Sequence, residues 1–216
     1  IGHISTILGR DSIPEMPSPL SYQHNVHNEV MQNFSPDELT GAFIENSTAI
    51  GATVIETTAE ECAGVLKNIL SEKKEGAVVM EDDPLIRELE INKALTADRA
   101  VQKWDVNKTR EENINFAERA VVGIAVAELA LAETGTVMLY CRGGSGRSVS
   151  LLPESTIYLI RKSSIRPRLT QAMAQLAELP KPLPASVNLV TGPSATADIE
   201  LVRVVGVHGP VAVADV

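Results

Sequence analysis

Residues 35–85 read SPDELTGAFIENSTAIGATVIETTAEECAGVLKNILSEKKEGAVVMEDDPL. Ser35 is placed as an N-cap, Pro36 as the first helical residue and Glu38 as the return partner of a capping box. Leu39, Phe43 and Ile44 follow at helical spacing, and Gly51 ends that helix ahead of a short strand over 52–56. Thr58 and Glu61 repeat the capping signature. Cys62, Val65, Leu66, Ile69 and Leu70 then form one apolar stripe, through Ser71. Residues 77–80 are a second short strand with an acidic exit, Glu81, Asp82 and Asp83; Pro84 opens a helix to about Leu95. Helix and strand alternate, which predicts an α/β fold with a mostly parallel central sheet flanked by helices.

Upstream, residues 1–35 read as an N-terminal arm. Pro14, Pro17 and Pro19 punctuate a polar stretch with weak periodicity. The domain proper is placed at 36–216. Residues 96–118 are polar, with a helical turn at 113–118. A buried strand is expected at 120–125, a short helical turn at 127–132 and a strand at 136–141. A strand at 155–161 and a helix at 168–179 follow. Pro180, Pro182 and Pro184 make a rigid connector. Strands at 187–191, 202–207 and 211–214 close the chain.

The 216 residues include 44% hydrophobic but only 3% aromatic side chains, so the core must be built of Val, Ile, Leu and Ala. A net charge of −9 argues against nonspecific nucleic-acid binding, which needs a basic footprint. No apolar run approaches the ~20 residues of a membrane span, and no cationic segment leads into an apolar one as a secretory leader would. The two cysteines, Cys62 and Cys141, form no CxxC and are too few for a disulfide framework or a four-thiolate cluster. A reducing, cytoplasmic setting is expected. No metal site is expected either: His24 and His27 are three apart on the arm with no cysteine near them in sequence.

Three stretches carry candidate chemistry. The first joins Gly192, Pro193, Ser194, Thr196 and Asp198 to His208 and Gly209, small and hydroxylic residues beside apolar strands. Such residues admit a ligand to the backbone, and they are equally the residues of ordinary turns. The second is Glu128 with Glu133, Thr134, Gly135 and Thr136. Glu133 follows an alanine-rich stretch and reads either as a general base or nucleophile or as a structural cap of its own turn. The third runs from Arg142 to Arg168, with six cations against the one acid Glu154. Its glycine-rich loop, ending at Arg147, reads as an anion nest or as a solvated hairpin, and it is no Walker A motif. The first two stretches are expected to face one another across a cleft at the carboxyl edge of the sheet, with Glu133, Asp198 and His208 as candidate catalytic groups.

Three longer strings go further. Val121-Val-Gly-Ile-Ala-Val-Ala-Glu-Leu-Ala-Leu-Ala-Glu-Thr-Gly-Thr136, Gly146-Arg-Ser-Val-Ser-Leu-Leu-Pro153 and Thr191-Gly-Pro-Ser-Ala-Thr-Ala-Asp-Ile-Glu200 with Gly206-Val-His-Gly-Pro210 resemble segments of the LUD-domain lactate utilisation proteins, LutC/YkgG type. The match covers about residues 120–210. The resemblance implies a fold like the NagB/RpiA/CoA-transferase group. It also implies a cytoplasmic subunit working with cysteine-rich, iron–sulfur partners in oxidising L-lactate to pyruvate. On that reading this chain binds no redox cofactor itself and serves as an accessory or anion-binding subunit. The family often has an arginine where this chain has Ala195. Two other readings stand beside it: a stand-alone CoA-transferase-like or sugar-phosphate-isomerase-like enzyme using Glu133, and a scaffold without a small-molecule site.

Overall fold

The computed structural model describes residues 2–9, 21, 23–198, 200–206 and 208–216. Pro14, Pro17 and Pro19 of the arm lie outside them. What is described of the arm includes α1 (Gly2–Ile7) and the single turn α2 (Val26–Glu29). The capping box then forms as the sequence dictates. Ser35 Oγ accepts from the Glu38 N–H at 3.3 Å and the Glu38 carboxylate accepts from the Ser35 N–H at 2.7 Å, starting α3 (Pro36–Ala49). Next come β1 (Thr53–Val54), α4 (Ala59–Ser71) capped by Thr58, and β2 (Val78–Met80).

The single helix expected from Pro84 to Leu95 is two, α5 (Pro84–Glu88) and α6 (Ile91–Thr96), broken at Glu90 with φ 50°. Leu85, Ile86, Ile91 and Leu95 are all buried. An unbroken helix would splay these side chains around its axis; the break returns all four to one core. The polar stretch after α6 contains β3 (Val101–Lys103) and α7 (Arg110–Arg119), the latter opened by a full Thr109–Glu112 capping box.

β4 (Val122–Ala127) is buried throughout. The helical turn expected at 127–132 is instead a strand, β5 (Leu129–Leu131), in a hairpin with β6 (Thr136–Tyr140), Leu129 opposite Met138 and Leu131 opposite Thr136. Gly135, at φ 59°, turns the chain between them. Strand pairing overrides the helix propensity of the alanines and leucines. α8 (Arg147–Leu151), β7 (Ser155–Ile160), β8 (Ile165–Arg166), α9 (Leu169–Ala177) and β9 (Val187–Thr191) follow. The strand expected at 202–207 shrinks to the exposed β11 (Val204–Val205), which pairs only with β10 (Ala195–Thr196). β12 (Ala212–Asp215) then enters the core.

Six strands make a parallel sheet in the order β1-β12-β7-β4-β2-β3; β8-β5-β6-β9 make a second, mainly antiparallel one. One face of the parallel sheet packs α4, α5 and α6, with Leu66, Ile86 and Ile91 against Val78, Met80 and Ile124. The other face packs α3 and the second sheet, with Phe43, Val137 and Leu139 against Ala125, Tyr158 and Val213. Each large apolar side chain removed from water contributes about 1.5–3 kcal/mol. From β2 the chain moves outward to β3, then returns across β2 to β4. The carboxyl ends of β2 and β4 therefore flank a topological switch point, where open α/β sheets bind ligands.

Candidate functional site

The glycine-bearing segments at the end of the chain close around one cleft. Gly192 follows β9 at φ 67°, and a Cβ there would lie 3.1 Å from the Ile50 side chain, so glycine meets both the angle and the space. The Ser194 N–H donates to the Pro210 carbonyl at 3.0 Å and the Gly206 N–H to the Ser194 carbonyl at 2.8 Å. These bonds stitch the two segments together. Pro210 lies at the amino end of β12, not at the carboxyl edge expected from sequence.

The cleft has a volume of about 460 Å³, and Gly192, Pro193, Ser194, His208 and Gly209 line it with Ser150, Tyr158 and Arg203. None of the described residues lining it is acidic. Arg203 Nη2 donates to the Ile50 carbonyl at 2.9 Å, which holds the guanidinium at the wall. Tyr158 is only 1% exposed, and its hydroxyl has no hydrogen-bond partner among the described residues. Burial, with the carboxylates of Asp215 and Glu81 adding to it, pushes its phenol far up, so it remains a donor. A cation, hydroxyls and apolar side chains suit an anion with an apolar body. Thr196 donates to Asp198 at 2.5 Å on the adjoining hairpin; both residues lie outside the lining.

Glu133 and its turn stand elsewhere. Thr136 Oγ1 lies 2.7 Å from Thr134 Oγ1 and 2.8 Å from Thr191 Oγ1, so the two sequence segments meet through a hydroxyl ladder. No open cleft separates them. A Cβ on Gly135 would lie 2.4 Å from the Ser47 nitrogen, so that turn seals against α3. Glu133 accepts from Arg168 Nε at 2.7 Å, and Arg168 also donates to the Val26 carbonyl at 2.8 Å, tying α2 to the domain. Arg168→Ala is therefore expected to cost about 1 kcal/mol, read as a lower urea midpoint, from a part-buried pair and a lost main-chain contact. An unchanged midpoint would make the pair energetically neutral.

The basic stretch does not form one patch. Arg142 goes to Glu128, Arg161 to Glu88, Lys162 to Asp37 and Glu56, and Arg168 to Glu133. Arg147 is exposed at the start of α8 and lines neither the cleft nor the pocket described next.

At the switch point the structure gathers groups that the sequence shows only as an acidic strand exit. Glu81 is 4% exposed; it accepts a short hydrogen bond from the Ser145 hydroxyl and one from the Val126 N–H at 2.9 Å. Burial raises its carboxyl to about 7, against the pull of those two bonds and helped by repulsion from Asp83 and Glu128. Glu128 is itself raised, chiefly by burial, despite Arg142 Nη1 at 3.2 Å. The Arg142 guanidinium stands 5.0 Å from the Tyr140 ring centroid. Together they enclose about 170 Å³. The available signal was position: an acid directly after an apolar strand of a parallel sheet. Among the described residues no group of three His, Cys, Asp or Glu is placed to hold a metal ion, and no helix is long and apolar enough to cross a membrane.

Comparison with known proteins supplies the family. The LUD domain model matches residues 41–214. Lactate utilization protein C of Geobacillus sp. strain WCH70 is 38% identical over 215 residues, covering 96% of this chain and 89% of the relative. The protein of that name in Bacillus subtilis strain 168 is 37% identical over 219 residues, covering 98% and 91%. YkgG of Escherichia coli K12 is 36% identical over 215 residues, covering 98% and 93%. The crystal structure of a DUF162 family protein from Deinococcus radiodurans superposes with a TM-score of 0.63 at 21% identity, over 84% of this chain and 97% of that one; at that identity the likeness concerns the fold alone. With a family model spanning most of its length and relatives this similar from end to end, the chain belongs to the LUD domain family.

Proposed function

We propose that this chain acts in lactate utilisation as an accessory, anion-binding subunit of a cytoplasmic system, alongside iron–sulfur, cysteine-rich subunits. The observation that carries the reading is the 35–41% identity to proteins named lactate utilization protein C, sustained over nearly the whole chain. Oxidising a 2-hydroxy acid to a 2-oxo acid removes two electrons and two protons. On this reading the electrons pass to centres on the iron–sulfur partners, and the side chains of this chain handle binding and protons. The contribution left to this chain is binding, and the 460 Å³ cleft with Arg203, His208 and its hydroxyls offers an anion a cation and donors. Glu133, held by Arg168, is engaged structurally, which favours this reading over a stand-alone enzyme built on it.

Deletion of the gene, in a strain with no second copy, is expected to abolish growth on L-lactate while leaving growth on pyruvate intact. Restoration by the wild-type chain but weakly by Arg203→Ala would place the function in the cleft. Normal growth of the deletion strain on L-lactate would overturn the reading.

A further inference from the structure

The pocket at the switch point shares no lining residue with the Gly192–Gly209 cleft. Its parts are built rather than incidental. The Asp82 N–H donates to the Gly144 carbonyl at 2.8 Å, and a Cβ on Gly144 would lie 2.5 Å from the Asp82 carbonyl. The glycine-rich loop thus seats directly on the exit of β2, and that seating delivers the Ser145 hydroxyl to Glu81. Arg142, on the same loop, is half-exposed and keeps a planar fork available to a second carboxylate beside Glu128. At about 30 Å³ per water, 170 Å³ is the room of five or six waters, which suits a molecule of about six heavy atoms.

We propose that this pocket binds a short 2-hydroxy or 2-oxo acid, its carboxylate on Arg142 and its hydroxyl or carbonyl oxygen on Glu81, and that binding takes up one proton on Glu81. The step is a proton transfer alone: a solvent proton forms an O–H bond on the Glu81 carboxylate, and nothing is oxidised or reduced. Charged groups from several elements surround Glu81. Asp83 before α5, Glu128 after β4 and Tyr158 on β7 face it, Arg142 comes from the loop, and Asp82 is already held by Arg87 and Lys103. A further carboxylate entering this set makes ionised Glu81 less favourable still, so occupancy and protonation reinforce one another. The choice of pyruvate and L-lactate as probes rests on the function proposed above.

Calorimetric titration of the full chain with pyruvate and with L-lactate, in two buffers of different ionisation enthalpy, reads both affinity and protons. Affinity is expected to fall about fivefold between roughly pH 7 and pH 8, and about tenfold per unit above that, with net proton uptake. Acetate, which lacks the second oxygen, is expected to bind at least about tenfold more weakly. Glu81→Gln should remove the proton uptake and the pH dependence, and Arg142→Ala should weaken binding about tenfold or more, both with wild-type circular dichroism. Carboxyl ¹³C titration of wild-type Glu81, with and without pyruvate, tests the same point without a variant; ligand should move its midpoint upward. Absence of binding, binding indifferent to both substitutions, or an unmoved Glu81 midpoint overturns the proposal. Each of these can occur while the deletion strain still fails on L-lactate, so the two readings fail separately.

Discussion

Replacing Gly123 by alanine is expected to cost about 3 kcal/mol or more, near the upper end for overpacking a buried site. Gly123 lies within the fully buried β4, and a Cβ there would stand 1.9 Å from the backbone carbonyl of Val149 and 3.0 Å from Pro153. The obstacle is main chain, so no rotamer change relieves it; α8 itself must move off the sheet. α8 carries Ser150 and Leu151, which line the larger cleft, so the loss extends from stability to the site. Urea unfolding checks the cost. Gly41→Ala is the control: Gly41 sits in α3 with nothing within 4 Å of its would-be Cβ, and the exchange should stabilise by about 0.5–1 kcal/mol. A Gly123→Ala chain as stable as wild type would show that β4 and α8 are not packed as described.

Glu81→Gln is expected to stabilise the fold in alkaline buffer by roughly 3 kcal/mol and to do almost nothing in acid. Burial lifts the Glu81 carboxyl from 4.5 to about 7. Between those values the native state keeps a proton that the unfolded chain releases, so wild-type stability falls as pH rises across the window. Glutamine removes the ionisation, keeps an acceptor for the Val126 N–H, and turns an amide toward Ser145. The gain should therefore open above about pH 4.5 and reach its full size above about pH 7. Asp215, 2% exposed and raised by burial from 3.8 to about 6, imposes a second slope of the same sign that the variant retains. Urea unfolding along a pH series separates the two. Parallel wild-type and variant curves would contradict the assignment of Glu81. A carboxyl kept where it weakens the fold at neutral pH fits a group retained for chemistry.

Local signals made much of the scaffold legible. The Ser35 and Thr58 caps, the stripe from Cys62 to Leu70 and the apolar runs of β2, β4 and β6 each follow from a few neighbouring residues. What failed to show was set by distant partners. Residues 127–132 have helix-forming composition, yet pairing of Leu129 with Met138 makes them a strand. The Thr109–Glu112 box was present in the sequence, but so polar a helix offers no apolar stripe to accompany it. The turn residues Gly192–Ser194 and His208–Pro210 stood out by composition and do converge on one cleft. Tyr158 and Arg203 gave no such signal, because their place in the wall comes from packing between β7, β9 and the β10–β11 hairpin. Glu81, Ser145 and Arg142 are brought together by strand order, which no local pattern encodes.

The most direct test is lactate-dependent electron transfer in a reconstituted system of this chain and the iron–sulfur subunits proposed as its partners, measured with and without the chain. The partners alone are expected to transfer electrons from L-lactate slowly, addition of this chain to restore the rate, and the chain by itself to turn nothing over. Full-rate transfer by the partners without it, or lactate oxidation by the isolated chain, would rule out an accessory, anion-binding role.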